Sequence, residues 1–167
     1  MPIPVDATAV ETQTGTAYPE PFKSRMGVSD WRALGDAFGL DQFGCNLESF
    51  EPGAQSSVRH WHTAVDEIVY LLEGELTLVV DEGEFVMTPG MVVGFKAGDR
   101  NAHHLVNRSD AVARALIIGT RNQDDKAFYP HDDLAWFPQP DGYLACHKDG
   151  TPYPDGSWPP DTDDQAG

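Results

Sequence analysis

The sequence has few cysteines and no long apolar run. Its two cysteines, Cys45 and Cys146, lie far apart along the chain. Two thiols cannot supply the dense disulfide framework typical of small secreted domains, and we expect both to be reduced. No apolar run approaches the ~20 residues that span a bilayer, and MPIPVDATAVETQTG at the start lacks a basic segment followed by an apolar core. These absences predict a cytoplasmic protein that does not cross a membrane.

Basic residues are also scarce. Eleven Lys and Arg stand against 27 Asp and Glu, which gives a formal net charge of −16. Such a charge repels the phosphates of nucleic acids and the headgroups of anionic membranes, so neither is an expected partner. The 167 residues suffice for one domain with its own core. A small-molecule ligand remains the expected partner.

Short segments of alternating polar and apolar residues fill the middle of the chain. Turn residues such as Pro52-Gly53, Asp81-Glu82-Gly83 and Pro89-Gly90 separate them. About eight strands at roughly ten-residue spacing are typical of an all-β sandwich or barrel. The predicted strands are FGCNLESF, SSVRHWH, EIVYLLEG, ELTLVVD, GEFVMTPG, MVVGFKAG, AHHLVNRS and AVARALIIGT.

A histidine pair marks the candidate site. His60 and His62 are separated by one residue, so in a strand their side chains project from the same face and Trp61 projects from the other. Glu67 follows at the start of the next strand. Two imidazoles and a carboxylate can converge on one metal ion, and these ligands suit Mn, Fe, Ni or Zn.

A second histidine pair can complete this set. His103 and His104 are adjacent, so they point to opposite faces of one strand and only one of them can reach a barrel interior. A one-residue bulge would exchange the two. From the alternation alone, either histidine remains possible.

Both stretches carry recognisable motifs. Residues 53–74 read G-x6-H-x-H-x4-E-x6-G, and residues 90–107 read G-x5-K-x-G-x4-H-x3-N. In this order they resemble the two signature motifs of the cupin superfamily, an all-β, antiparallel jelly-roll barrel. The resemblance covers roughly residues 43–120 and is strongest to short single-domain bacterial cupins with an aromatic C-terminal extension. It implies a divalent metal ion, Mn, Fe, Ni or Zn, held by His60, His62, Glu67 and His103. It thereby favours Glu67 over Asp66 and His103 over His104.

The two ends of the chain differ from its middle. We predict an N-terminal arm with a short helical turn over 1–42, the barrel over 43–121 and a C-terminal strap over 122–167. Ser29 is the predicted cap of a turn over Asp30–Ala37. The strap contains ten Asp and seven prolines, but also seven aromatic residues, so we expect it to be irregular and to pack on the barrel near the pocket mouth.

The resemblance implies several functions. We expect an enzyme that acts on a small oxygen-rich metabolite, a sugar derivative or an organic acid, by metal-assisted proton transfer of the isomerase type, with Glu67 near the moving proton. The alternatives are a metal-dependent dioxygenase and a non-catalytic sensor that binds a small molecule. Since small cupins commonly pair, a homodimer is also expected.

Overall fold

The structure is a computed structural model that describes residues 3–140 and 142–158. Within these residues it contains β-strands and short 3-10 helices but no α-helix, and no helix long and apolar enough to cross a membrane. The 3-10 helices are Ala7–Ala9, Lys23–Arg25 and Asp36–Phe38. The strands are β1 Gln13–Thr14, β2 Ser29–Ala33, β3 Phe43–Phe50, β4 Trp61–His62, β5 Glu67–Glu73, β6 Leu76–Val80, β7 Gly83–Met87, β8 Val92–Phe95, β9 His104–Val106, β10 Ala113–Thr120, β11 Ala127–Tyr129, β12 Leu134–Gln139, β13 Gly142–Cys146 and β14 Pro152–Trp158.

The strands form three antiparallel sheets. The largest has the order β1-β2-β3-β10-β5-β8, and a three-stranded sheet has the order β7-β6-β9. The third sheet, in the order β14-β13-β12-β11-β4, joins the end of the chain to the histidine-bearing segment. The predicted all-β class is confirmed, and eight strands, β3 to β10, lie in the region for which eight were predicted.

Alternating side chains from the six-stranded sheet and the three-stranded sheet build the barrel core. On β5, Val69 and Leu71 are fully buried, whereas Ile68 and Tyr70, which alternate with them, are exposed. The buried pair packs against Leu76 of β6 and Leu105 of β9. Period-two burial of this kind removes one face of the large sheet from water and fixes its register. The interior therefore lies between the large sheet and the three-stranded sheet.

Two residues of the predicted motifs have structural roles. Gly74 adopts φ 74°, and a Cβ there would approach the carbonyl oxygen of Val112 to 2.6 Å, so only glycine fits the turn after β5. Asn107 is fully buried, and its amide donates hydrogen bonds of 2.8 Å to the carbonyls of Phe50 and Ala111. Both residues shape the barrel and neither contacts the histidine cluster.

The N-terminal segment differs from its prediction. Ser29–Ala33 is strand β2, paired with β3 through Trp31 and Glu48, so Ser29 does not cap a helix. The helical turn is confined to Asp36–Phe38. Pairing with a long neighbouring strand outweighs a weak local helix preference, because each residue of β2 gains ladder hydrogen bonds. The segment thereby extends the large sheet.

The C-terminal segment is more regular than predicted. Instead of an irregular strap, its described part forms the meander β11 to β14, and β11 pairs with β4. A second core lies beneath it, where Tyr129, Leu134 and Trp136 pack with Phe22 and Val58. Four aromatic residues of the segment, Tyr129, Trp136, Tyr143 and Tyr153, take part in this core. The end of the predicted strap, residues 159–167, lies outside the described residues.

Candidate metal centre

His60 and His62 meet at the inner end of β4. Their Nε2 atoms lie 2.9 Å apart, and their rings are nearly perpendicular with centroids 4.7 Å apart. A backbone bridge between His60 and His103 brings the second histidine stretch alongside. The same-face projection predicted from the H-x-H spacing is therefore what the structure shows.

The outer nitrogen of each ring is held by an oxygen. Nδ1 of His60 lies 3.0 Å from the carbonyl of Val58, and Nδ1 of His62 lies 2.6 Å from Oδ2 of Asp125. A carbonyl and a carboxylate only accept hydrogen bonds, so both Nδ1 atoms carry the proton. Each Nε2 then presents a lone pair, and the two lone pairs face one another. Burial, followed by the neighbouring His62 and His103, holds the pKa of His60 well below its ordinary value, which keeps that ring neutral.

Asp125 is a site residue that the sequence reasoning missed. It is 3% exposed and accepts further hydrogen bonds from the backbone N–H of Ala64, at 2.7 Å, and the hydroxyl of Thr63, at 3.2 Å. Burial alone would raise the pKa of Asp125, but the hydrogen bonds from His62, Ala64 and Thr63 lower it. The carboxylate is thus ionised and fixes the orientation of His62. Its place in an acidic run far along the chain gave no sequence signal.

Glu67 and His103 form the other half of the cluster. Oε1 of Glu67 lies 3.4 Å from Nε2 of His103. The His103 ring is 4% exposed, stacks on Phe95 at 3.5 Å, and neither of its nitrogens has a hydrogen-bond partner. An imidazole buried without partners is costly, so such a ring is typical of a residue that takes a ligand.

The adjacent histidine points elsewhere. Nδ1 of His104 lies 3.1 Å from the carbonyl of Ser57, and the side chain is half-buried outside the cluster. Side chains alternate along β9 and the residue before it, so His103, and not His104, lies beside His60. The two ring centroids are 5.0 Å apart. No bulge exchanges the two.

The four predicted ligands lie in two pairs, His60 with His62 and Glu67 with His103. Two nitrogens each about 2.1 Å from one ion lie about 3 Å apart when they subtend a right angle, and the His60–His62 separation is 2.9 Å. As they stand, no three His, Cys, Asp or Glu side chains among the described residues surround a common point. Facing lone pairs and a partnerless imidazole nonetheless make this a donor set suited to a borderline divalent cation.

A cavity of about 800 Å³ opens beside the cluster, and all four residues line it. Its walls come from both ends of the chain. Tyr18, before β2, and Tyr129, on β11, are in hydrogen-bond contact with their hydroxyls 2.9 Å apart, and Tyr129 stacks on His60 at 5.4 Å. Burial raises the pKa of Tyr18 to about 12, although the bond to Tyr129 lowers it in part. Both phenols are therefore neutral at physiological pH.

The cupin domain model matches residues 46–119, a range that holds the four predicted ligands but neither Asp125 nor the two tyrosines. The crystal structure of a sugar phosphate isomerase from a cupin superfamily, from Silicibacter pomeroyi, is 42% identical with a TM-score of 0.86. That match covers 90% of this chain and 96% of the other. The chain belongs to the cupin superfamily. The cupin barrel predicted from the two motifs is thereby confirmed.

Other solved structures resemble this cupin less closely. A putative sugar phosphate isomerase from Acidithiobacillus ferrooxidans is 30% identical, with a TM-score of 0.68 over 72% of this chain and 77% of the other. The polyketide cyclase RemF from Streptomyces resistomycificus is 24% identical, with a TM-score of 0.58 over 72% and 80%, and shares the fold alone. No curated protein sequence matches this cupin.

Proposed function

We propose that this cupin is a metal-dependent enzyme that acts on a small oxygen-rich metabolite by proton transfer, as an isomerase does. The proposed ligands of the ion, Mn, Fe, Ni or Zn, are His60, His62, Glu67 and His103. The observation that carries the proposal is the facing pair of Nε2 atoms, 2.9 Å apart, beside the partnerless His103 ring. Two matched structures, at 42% and 30% identity, carry the name sugar phosphate isomerase, the second as putative, and these names support the same class of reaction.

A bound divalent ion would polarise a substrate carbonyl and so acidify the neighbouring C–H bond. The protein's own groups would complete the reaction. Glu67 has two carboxylate oxygens, of which Oε1 faces His103, so the other can accept and return the proton. Of the two hydrogen-bonded phenols, Tyr18 and Tyr129, the one that accepts from the other can donate its own proton to a substrate oxygen.

The adjacent histidines provide the test. Metal content of purified protein is measured by plasma mass spectrometry for the wild type, His103→Ala and His104→Ala. We expect about one equivalent of metal in the wild type and in His104→Ala, and loss of metal in His103→Ala with the fold retained by circular dichroism. Equal metal content in the two variants would contradict the ligand set. Full occupancy without turnover of aldoses or ketoses would favour the sensor alternative over the enzyme.

We also propose a homodimer through the outer face of the large sheet. Ile68, Tyr70 and Val92 lie there with 44%, 42% and 56% of their surface exposed. Tyr70 pairs with both Val92 and Leu116 across neighbouring strands, so these side chains form one continuous apolar surface. Exposed patches of this type on a sheet face are typical of protein interfaces. A second copy of the same face would cover it.

A further inference from the structure

The large cavity carries an unbalanced set of charged side chains. Among the described residues that line it, five carry carboxyl groups and one carries an amine, and none is arginine. The acidic residues are Asp30, Glu48, Glu51, Glu67 and Asp125, and the basic residue is Lys23. Lys96 lines a separate cavity of about 200 Å³, which His62 and His103 also border. A bound divalent ion would offset the charges of Glu67 and Asp125, so the acidic groups left in the cavity wall are Asp30, Glu48 and Glu51, against the one amine of Lys23.

Proteins usually bind phosphate groups with arginine forks, lysine clusters or helix N-termini. The lining residues include no arginine, and the described chain has no α-helix whose N-terminus could point into the cavity. Asp30 is engaged by Arg32 at 3.4 Å, but that arginine does not line the cavity. The usual devices for holding a phosphate ester are thus missing from these walls.

The protonation of Glu48 depends on the same cavity environment. It lies on the inward face of β3, opposite Trp31 on one side and Ala115 on the other, and its side chain is half-buried. Burial, and then the charge of Glu67, raises the pKa of Glu48 to about 8. The cavity therefore disfavours an additional negative charge even on a carboxyl group of its own wall.

The remaining walls are largely aromatic. Tyr18, Trp31, Tyr129, Trp136 and Tyr143 line the cavity, and its 800 Å³ volume lies within the range of ordinary ligand pockets. Aromatic faces combined with phenolic and carboxylic hydroxyl groups suit a ring that bears hydroxyl groups. The five aromatic residues come from segments outside the matched domain, so this lining belongs to the additions at the two ends of the chain.

We infer that the substrate is an uncharged, hydroxyl-bearing ring compound and not a phosphate ester. This inference rests on the proposed function, because it takes the large cavity as the place where the substrate reaches the metal ligands. The inferred substrate thus differs from the sugar phosphates in the names of two matched structures. Sugars and phenols share the required chemistry, and the choice of probes distinguishes them.

Matched pairs of probes test the inference by titration calorimetry on Mn²⁺-loaded protein. The pairs are D-glucose with glucose 6-phosphate, D-ribose with ribose 5-phosphate, and phenol with phenyl phosphate. In at least one pair we expect the uncharged member to bind about tenfold more tightly or better, because no arginine and only one lysine of the cavity wall can pair with a phosphate group. Tighter binding of the phosphate ester in any pair, or no binding of any uncharged member, would overturn the inference.

A lysine added to the cavity wall supplies the second arm. Glu48→Lys, or Glu51→Lys at an exposed position of the wall if the first variant does not fold, should move the affinity ratio toward the phosphate ester by about tenfold or more. Glu75→Lys makes the same substitution at an exposed residue that does not line the cavity, and should leave the ratio unchanged. An equal shift in both variants would overturn the inference. Metal content of the same samples is measured separately, so failure of the metal proposal is distinguishable.

Discussion

Replacement of Asp125 by asparagine tests how the second side chain of the cluster is oriented. In the wild type, Oδ1 of Asp125 accepts from Ala64 N–H at 2.7 Å and Oδ2 accepts from His62 Nδ1 at 2.6 Å. Asparagine keeps one acceptor oxygen. Because the Ala64 N–H donates to that oxygen, the NH₂ group of the asparagine faces His62. Nδ1 of His62 must then accept a hydrogen bond, and its proton moves to Nε2.

The magnitude follows from that tautomer change. A protonated Nε2 cannot bind a cation, so metal binding requires either the disfavoured tautomer or a rotated ring. Loss of a carboxylate behind a ligating histidine typically weakens metal binding 10- to 100-fold, which corresponds to about 1.4 to 2.7 kcal/mol. We expect a loss of this size for Asp125→Asn. Because the Ala64 hydrogen bond survives, the free energy of unfolding of the metal-free protein should fall by only about 1 kcal/mol.

Competition between the protein and a chelator for Co²⁺ measures the affinity, and the visible absorption of the bound ion reports the ligand geometry. Asp124→Asn is the matched control, since Asp124 precedes Asp125 and is exposed. It should bind Co²⁺ like the wild type. If Asp125→Asn binds Co²⁺ within about twofold of the wild type, at the resolution of such mutational comparisons, the argument that Asp125 sets the tautomer of His62 is wrong.

Three further predictions concern stability and assembly. In the folded protein the pKa of Glu48 is raised from 4.5 to about 8 by burial and by the charge of Glu67. The wild type should therefore lose stability relative to Glu48→Gln as the pH rises through that range, by on the order of 2 kcal/mol after allowance for solvent screening of a half-buried side chain. Leu71→Ala removes a fully buried core side chain and should cost about 2 to 5 kcal/mol in urea unfolding. Ile68→Lys places a charge in the proposed interface and should convert a dimer to a monomer in sedimentation.

Each of these predictions has a matched control. Glu75→Gln, at an exposed position, should show the pH dependence of the wild type. Leu72→Ala changes the exposed neighbour of Leu71 and should cost less than about 1 kcal/mol. Val86→Lys lies on β7, in the other sheet of the barrel, and should leave the dimer intact. A wild-type mass near 18.3 kDa would refute the dimer outright.

Sequence reasoning predicted the barrel because its signals are local. Strand alternation and turn residues repeat every ten residues or so between Phe43 and Thr120, and each predicted strand appears in order. His60 and His62 were predictable for the same reason, since a one-residue spacing fixes their relative direction in extended backbone. The choice of His103 needed the resemblance to a family as well, because alternation alone could not say which of two adjacent histidines faces inward.

The elements that were mispredicted depend on long-range pairing. Ser29–Ala33 becomes a strand because it pairs with β3, and no local sequence pattern predicts that pairing. The C-terminal meander begins where β11 pairs with Trp61 and His62, more than sixty residues earlier in the chain. Asp125 lies just before β11, so that the same pairing delivers its carboxylate to His62. The position of such a residue cannot be predicted from the sequence around it.

The hydrogen bond between Tyr18 and Tyr129 joins the two segments that precede and follow the cupin barrel in the sequence. Under the proposed function, the four metal ligands lie within the barrel, whereas most of the aromatic wall that a substrate would contact lies outside it. Substitutions in the flanking stretches can retune which compound is admitted while the histidine cluster is left intact. A protein divided in this way can acquire a new substrate without first losing its catalytic apparatus.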